Sequence, residues 1–506
     1  MPVRRGKVIF IKNALVLTVT GLIIRFAGML FRVWLAANLG AEGMGLYSQI
    51  FSFYVLASVF ASTGINTCVT RLVTEELARG SPFAVRRVLK RCVFVTVGIA
   101  TVSACMIFLS SEPIAVHLVG DVRASDSLKS LVFSLPFMGI SSCIKGYFIA
   151  RKKTAPSSVS QILEQAVRIV IIVSLVGKTA AQGLAAACKA VIVGDVIAEI
   201  CSFIYVYICF LMDASKNLPK NVGNAPAYSV LARLRHIALP ITSGRYLNTM
   251  LRTAENLLVP RKIAEHGVEY SSALGSFGVI KGMALPLLFF PATFLSALST
   301  LLVPEMSEAA ISGRDLKVRL TAEKCIHITL ISALPIAVIF FYSAGFLGDL
   351  AYSDPESGRM MHLLAPIVPL MYLDSVCDGL LKGLDRQLSV FKTSMLDSLG
   401  RLALIMVVLP RFGLPGFIAI MYASNLFTCT LNVSSLLKVS KARIEWFRWL
   451  VLPGTTALSI GTVTYLALGK LNLPPLPFNV AFALITAVGY LLIVLKTGCL
   501  TRDDLR

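Results

Sequence analysis

Apolar residues run along this chain in long blocks separated by short polar stretches. The blocks are too long for half-buried strands and too apolar all round for surface helices. Taking about 20 apolar residues as the length that crosses a hydrocarbon core, about fourteen segments qualify. They lie near 13–38, 45–72, 88–110, 129–150, 157–177, 182–212, 236–259, 273–304, 325–348, 361–383, 388–410, 414–438, 447–469 and 478–496. This pattern predicts an all-α polytopic membrane protein. Composition agrees, since 56% of the 506 residues are hydrophobic and only 15% charged, with a mean hydropathy of +0.77. Ordinary soluble globular usage is excluded. The start MPVRRGK followed by an apolar run has the layout of a signal peptide. Its apolar part exceeds the usual length and many more segments follow, so it reads as an uncleaved first span.

Charge placement sets the expected orientation. The N-terminal MPVRRGK, the stretches 71–91, 150–153, 213–235, 313–324, 382–386 and 437–448, and the C-terminal tail all fall on one side of the predicted spans. Together they hold about thirty lysines and arginines, whereas the alternate loops, such as 39–45 and 110–126, hold about seven, so both termini are expected in the cytoplasm. The formal charge of +21 is then mostly a matter of topology and of a lipid-facing basic surface. Nucleic acid is not an expected partner, because no soluble basic domain exists to bind it.

A second regularity crosses the first. Gly45 matches Gly278 when the sequence is laid over itself, and at the same offset Glu75 meets Glu308, Arg86 meets Arg319, Pro136 meets Pro369, Gly146 meets Gly379 and Gly183 meets Gly416. The strings LEQAVRIVIIV at 163–173 and LDSLGRLALIM at 396–406 also align, bringing Glu164 onto Asp397 and Arg168 onto Arg401. Near the start the offset shortens, and Arg25 and Arg32 match Arg245 and Arg252 with the same seven-residue spacing. The difference falls as extra residues around 259–272, in an outer loop where insertions are tolerated. Each repeat holds six predicted spans, an even number, so the two run in the same direction, as in transporters built from parallel repeats. The expected organisation is an N-lobe at 1–212, a cytoplasmic inter-lobe linker at 213–235, a C-lobe at 236–440, and two extra helices with a cytoplasmic tail at 441–506.

Several chemistries drop out. The 11 cysteines are scattered and show no CxxC spacing, and the 5 histidines are isolated, so neither a disulfide frame nor a metal site is expected. No nucleotide-binding glycine pattern appears, and no cofactor is expected. A membrane glycosyl polymerase needs catalytic acids on a substantial outer loop, and 110–126 offers no paired-acid arrangement, so the chain is not read as an enzyme.

Three strings carry a family resemblance: LIIRFAGMLFRVWLAANLGAEGMGLYSQIFSFY at 22–54, RLVTEELARG at 71–80 and GMALPLLFFPATFLSALSTLLVPEMSEA at 282–309. They resemble the stage V sporulation protein B group of polysaccharide-biosynthesis membrane proteins. That group belongs to the multidrug/oligosaccharidyl-lipid/polysaccharide exporter superfamily, together with the lipid II flippases. The resemblance covers nearly the whole chain. It implies two six-helix lobes in a V with two added helices, in the bacterial cytoplasmic membrane, moving a polyprenyl-pyrophosphate-linked saccharide by alternating access. Membrane lipids, and cell-wall or sporulation synthases, are the partners it suggests. A drug or cation antiporter on the same fold and a non-transporting cell-wall scaffold stay open as alternatives. The first would want unpaired acids in its cavity, where the repeated residues here are arginines.

Charged residues inside the predicted spans are the candidate chemistry, because each arginine at mid-bilayer costs roughly 2.5 to 3.5 kcal/mol on insertion scales. Arg25 and Arg32 lie two helical turns apart, about 10 Å, on one face. They are candidate cavity cations with Arg245, Arg252 and Lys281; guanidinium forks suit a pyrophosphate. The competing readings are pairing of Arg252 with Glu255, three residues on, and snorkelling of Arg32 or Lys281. Glu164 with Arg168 and Asp397 with Arg401 are spaced as structural ion pairs, an acid four residues before an arginine. Asp374 and Asp378 either bind a coupling proton or sodium ion or pair across helices. Pro286, Pro291 and Pro304 predict a bent helix in the eighth segment.

Overall fold

A computed structural model describes residues 2–500 except 63, 80–81, 180–181 and 219–229. The middle of the expected linker and the last six residues therefore lie outside the described residues. All regular structure among the described residues is helical. The main helices are α1 (Pro2–Ser62), α2 (Ile65–Ala78), α3 (Pro82–Leu109), α4 (Ala124–Leu131), α5 (Leu135–Ala150), α6 (Ala155–Thr179), α7 (Leu184–Asn217) and α8 (Val230–Ala264). They continue as α9 (Tyr270–Gly278), α10 (Ala292–Ile311), α11 (Asp315–Tyr352), α12 (Pro355–Leu364), α13 (Val368–Gly383), α14 (Gln387–Ser440), α15 (Leu452–Gly469) and α16 (Pro475–Lys496).

Among the described residues, 11 helical stretches are long and apolar enough to cross a membrane, and the chain is a multi-pass membrane protein. The expected fourteen spans do not appear as fourteen separate helices. The expected loop at 39–45 is instead a kink inside α1, where Gly40 takes φ 68°. Gly413, with φ 56°, does the same inside α14. Each of these long helices has the length for two crossings. The eighth segment is interrupted around two of its three prolines, by a π-helical turn at Val279–Ala284 ahead of Pro286, a short helix at Leu285–Phe289 and a break before α10 at Pro291, while α10 runs on through Pro304.

The chain forms two compact units, Met1–Phe31 with Leu46–Arg261, and Arg32–Gly45 with Lys262–Arg506. In the first, a core of Cys68, Val69, Leu72, Val85, Cys92, Cys143, Ile144, Tyr147 and Phe148 joins α2, α3 and α5. In the second, Met306, Val318, Cys325, Val376, Cys377 and Leu381 join α10, α11 and α13. These cores are repeat mates: Val85 corresponds to Val318, Cys92 to Cys325, Cys143 to Val376 and Phe148 to Leu381, at the offset that pairs Gly45 with Gly278. The repeat extends to the turns that lead into α4 and α12. The Asp121 carboxylate accepts from the Arg123 backbone N–H at 2.9 Å ahead of α4, and that of Asp354 accepts from Glu356 N–H at 3.3 Å ahead of α12. The last two helices dock on α11 through Ile331, Val338, Ala457, Tyr490 and Val494.

Gly45 and Gly278 also meet. A β-carbon on Gly278 would fall 2.5 Å from Gly45 N, so only glycine at these positions lets the Arg32–Gly45 segment and α9 approach so closely.

Candidate functional site

The first unit contains a cleft of about 440 Å³ between the second half of α1 and α8. From α1 come Phe51, Ser52, Val55 and Val59, and from α8 come Arg245, Asn248, Thr249, Arg252, Thr253 and Asn256. Positions 245, 248, 249, 252 and 256 recur at helical spacing, so one face of α8 delivers all of them. The helices are held together at both ends of this face. Thr253 Oγ1 donates to Ser52 O at 3.3 Å and Asn256 Nδ2 donates to Ser52 Oγ at 2.8 Å. The rings of Phe60 and Tyr246 stack with centroids 4.6 Å apart.

The charge of the lining is one-sided. Among the described residues, Arg245 and Arg252 are its two ionised side chains, both exposed to the cleft, and no carboxylate lines it. Arg252 donates its Nε–H to Asn248 Oδ1 at 3.1 Å, one turn earlier. The pairing with Glu255 that the sequence allowed is not the one formed; Glu255 is buried and absent from the lining. A 440 Å³ cleft is within the usual range for small-ligand sites, and its chemistry suits an anion.

The remaining sequence candidates are placed elsewhere. Arg25 belongs to the first unit and Arg32 to the second, and neither lines the cleft. Lys281 is half-buried in the π-helical turn of the second unit. The five expected substrate-gripping cations are thus not gathered in this cleft, which takes only Arg245 and Arg252.

The two expected ion pairs form, with additions. Arg168 lies 2.9 Å from Glu164 Oε1, and also donates to Asp195 Oδ1 at 2.7 Å and to Gln165 Oε1 at 2.9 Å. Asp195 is buried, and its second carboxylate oxygen has no hydrogen-bond partner among the described residues. One turn further along α7, Glu199 is buried as well. In the second unit Asp397 Oδ2 lies 3.3 Å from Arg401 Nε, and Ser424 Oγ donates to its other oxygen at 2.5 Å. Asp374 accepts from Asn432 Nδ2 at 2.8 Å, and Asp378 pairs with Lys382 at 2.5 Å.

Asp195 and Glu199 escaped the sequence reading. The signal was present: two acids one turn apart inside the apolar segment 182–212, the same pattern that singled out Asp374 and Asp378. Asn248, Asn256 and Ser52 gave no comparable signal, since a lone amide or hydroxyl in a span is common.

The chain is 26% identical over 447 residues to stage V sporulation protein B of Bacillus subtilis (strain 168), covering 87% of this chain and 86% of that protein. It is 21% identical over 411 residues to the lipid II flippase MurJ of the same organism, covering 74% of this chain and 73% of that one. In three dimensions it shares the fold of a lipid II flippase MurJ in an inward closed conformation, with TM-score 0.73 at 13% identity over 96% of this chain and 99% of that one. An inward-facing multidrug resistance MATE family transporter of the MOP superfamily follows, with TM-score 0.62 at 11% identity over 84% and 99%. Residues 10–310, more than half of the sequence, match the family described as polysaccharide biosynthesis protein, and the chain belongs to that family.

Proposed function

We propose that this protein is a flippase that moves a polyprenyl-pyrophosphate-linked saccharide across the bacterial cytoplasmic membrane by alternating access. Arg245 and Arg252 meet the pyrophosphate on its path, and the prenyl chain stays in lipid. The observation that carries this reading is the cleft whose two ionised side chains among the described residues are both arginines, with no carboxylate among its described lining residues. An organic cation would find only repulsion there. The likeness to stage V sporulation protein B and to a lipid II flippase supports the same substrate class. Coupling by Asp374 is part of the proposal, because its carboxylate faces a neutral amide. The lobes 1–212 and 236–440, joined by a cytoplasmic linker, are the proposed moving parts.

The test is translocation of undecaprenyl-pyrophosphate-linked sugar in proteoliposomes. Replacing both Arg245 and Arg252 by alanine removes two charge-assisted grips, and transport is expected to fall about tenfold or more. The amount of folded protein on detergent size exclusion should be unchanged, because an exposed, cleft-facing arginine leaves no buried acid behind. Normal transport by the double variant overturns the reading. The expected orientation has its own check: with native thiols removed, an impermeant reagent applied from outside should label a cysteine at Val122 and spare one at Ser215. Both positions are exposed, so the reverse pattern would invert the topology.

A further inference from the structure

Arg168, Arg401 and Arg252 are each met by a polar side chain four positions earlier on the same helix, and they differ in one respect. Arg168 has Glu164 there, at 2.9 Å, and Arg401 has Asp397, at 3.3 Å. Arg252 has Asn248, at 3.1 Å. The register is the same in these three, and in each the side chain four residues earlier lies against the guanidinium. An acid in that place holds the arginine and cancels its charge. An amide holds it and leaves the charge intact. Both acid-bearing arginines are mostly covered, with 22% and 19% of the side chain exposed, whereas Arg252 is open to the cleft.

We infer that Asn248 is a positioning residue that aims the Arg252 guanidinium into the cleft while keeping it a full cation for a phosphate-bearing anion. The inference rests on the proposed anion grip and says how the grip is kept charged. Asn248 engages Nε alone, which leaves the two terminal NH₂ groups as the fork that meets two oxygens of a phosphate. The other polar contacts of the cleft are equally neutral: Asn256 and Thr253 are turned to Ser52. Nothing anionic among the described lining residues competes with an incoming phosphate.

The experiment titrates inorganic pyrophosphate into the purified full-length protein in lipid-supplemented detergent, by calorimetry, across a series of salt concentrations. Asn248→Asp should weaken binding about as much as Arg252→Ala does, about tenfold or more. Combining the two should add little, because each removes the same free charge. Asn248→Ala loses the tether and keeps the charge, so affinity should fall by a smaller factor, about two- to fivefold, with the salt dependence of the wild type. If Arg252→Ala weakens binding but Asn248→Asp and Asn248→Ala bind as the wild type does, the positioning role is wrong while the anion grip stands. A lower melting temperature with unchanged affinity in Asn248→Ala overturns it equally, by making Asn248 merely structural. Should Asn248→Asp fail to fold, the alanine variant decides alone. If the wild type and Arg252→Ala bind pyrophosphate equally, the anion grip itself fails, and the inference with it.

Discussion

The two units share one charged pair at the same repeat positions and surround it differently. Glu164 and Arg168 on α6 correspond to Asp397 and Arg401 on α14, and both pairs form. Across from them, Asp195 and Glu199 on α7 correspond to Thr428 and Asn432, while Lys145 on α5 corresponds to Asp378 on α13. The first unit therefore puts its extra acids on α7, where one of them shares Arg168 with Glu164. The second puts them on α13, where Asp374 is met by the neutral Asn432. A duplicated backbone has kept the location of a polar layer while its charges moved from one helix to another. A buried arginine held by two acids is locked, since removing any member strands a charge. A carboxylate facing an amide is free to change its protonation or bind a cation without breaking an ion pair.

This contrast is open to direct attack, and Arg168→Ala is the largest expected effect. It leaves Glu164 and the buried Asp195 without their cation, at a cost of about 3 to 5 kcal/mol. Arg401→Ala should cost less, because Asp397 keeps its hydrogen bond from Ser424. Thermal unfolding in detergent ranks the two; equal losses would show that the second acid on Arg168 contributes nothing.

Exchanging the partners sharpens the point. From sequence alone, Glu164→Arg combined with Arg168→Glu preserves a pair and should be tolerated better than either single removal. In the folded protein it sets a new carboxylate at 168 against Asp195, so a loss about as large as that of Arg168→Ala is expected. The same exchange at Asp397 and Arg401 brings a carboxylate toward no second acid on the facing helix, where Ser424 is the neighbour, and should cost about 1 kcal/mol. Folded yield and melting temperature of the two exchanged proteins decide it, and matching losses would erase the distinction between the units.

Smallest are the neutral replacements. Asp195→Asn weakens a charge-assisted bond to Arg168 and should cost about 1.5 to 3 kcal/mol, whereas Asp374→Asn still accepts from Asn432 and should cost below about 1 kcal/mol. Asp374→Asn is thus the cleaner probe of coupling. Ion-gradient-driven transport should fall while stability holds, and transport with an unchanged gradient dependence would remove Asp374 from the coupling role.

Much of this protein was legible in its sequence because the bilayer is a strict solvent. Apolar blocks of spanning length must become helices, since no water is present to satisfy an open backbone. An arginine or acid in such a block stands out against that background, which is why the Glu164–Arg168 and Asp397–Arg401 pairs were visible from spacing alone: helix geometry fixes contacts within one turn. The internal repeat was visible for a related reason, as glycines and charges at fixed offsets mark backbone requirements rather than interchangeable packing. Contacts between helices are a different matter. Nothing in the local pattern says that α8 turns the face with Arg245, Asn248 and Arg252 toward Ser52 of α1, that Arg25 and Arg32 fall into different compact units, or that Asp195 reaches Arg168 from another helix. Those depend on how helices far apart in sequence rotate and cross. Many apolar side chains pack almost equally well in several arrangements, so only the assembled structure selects one.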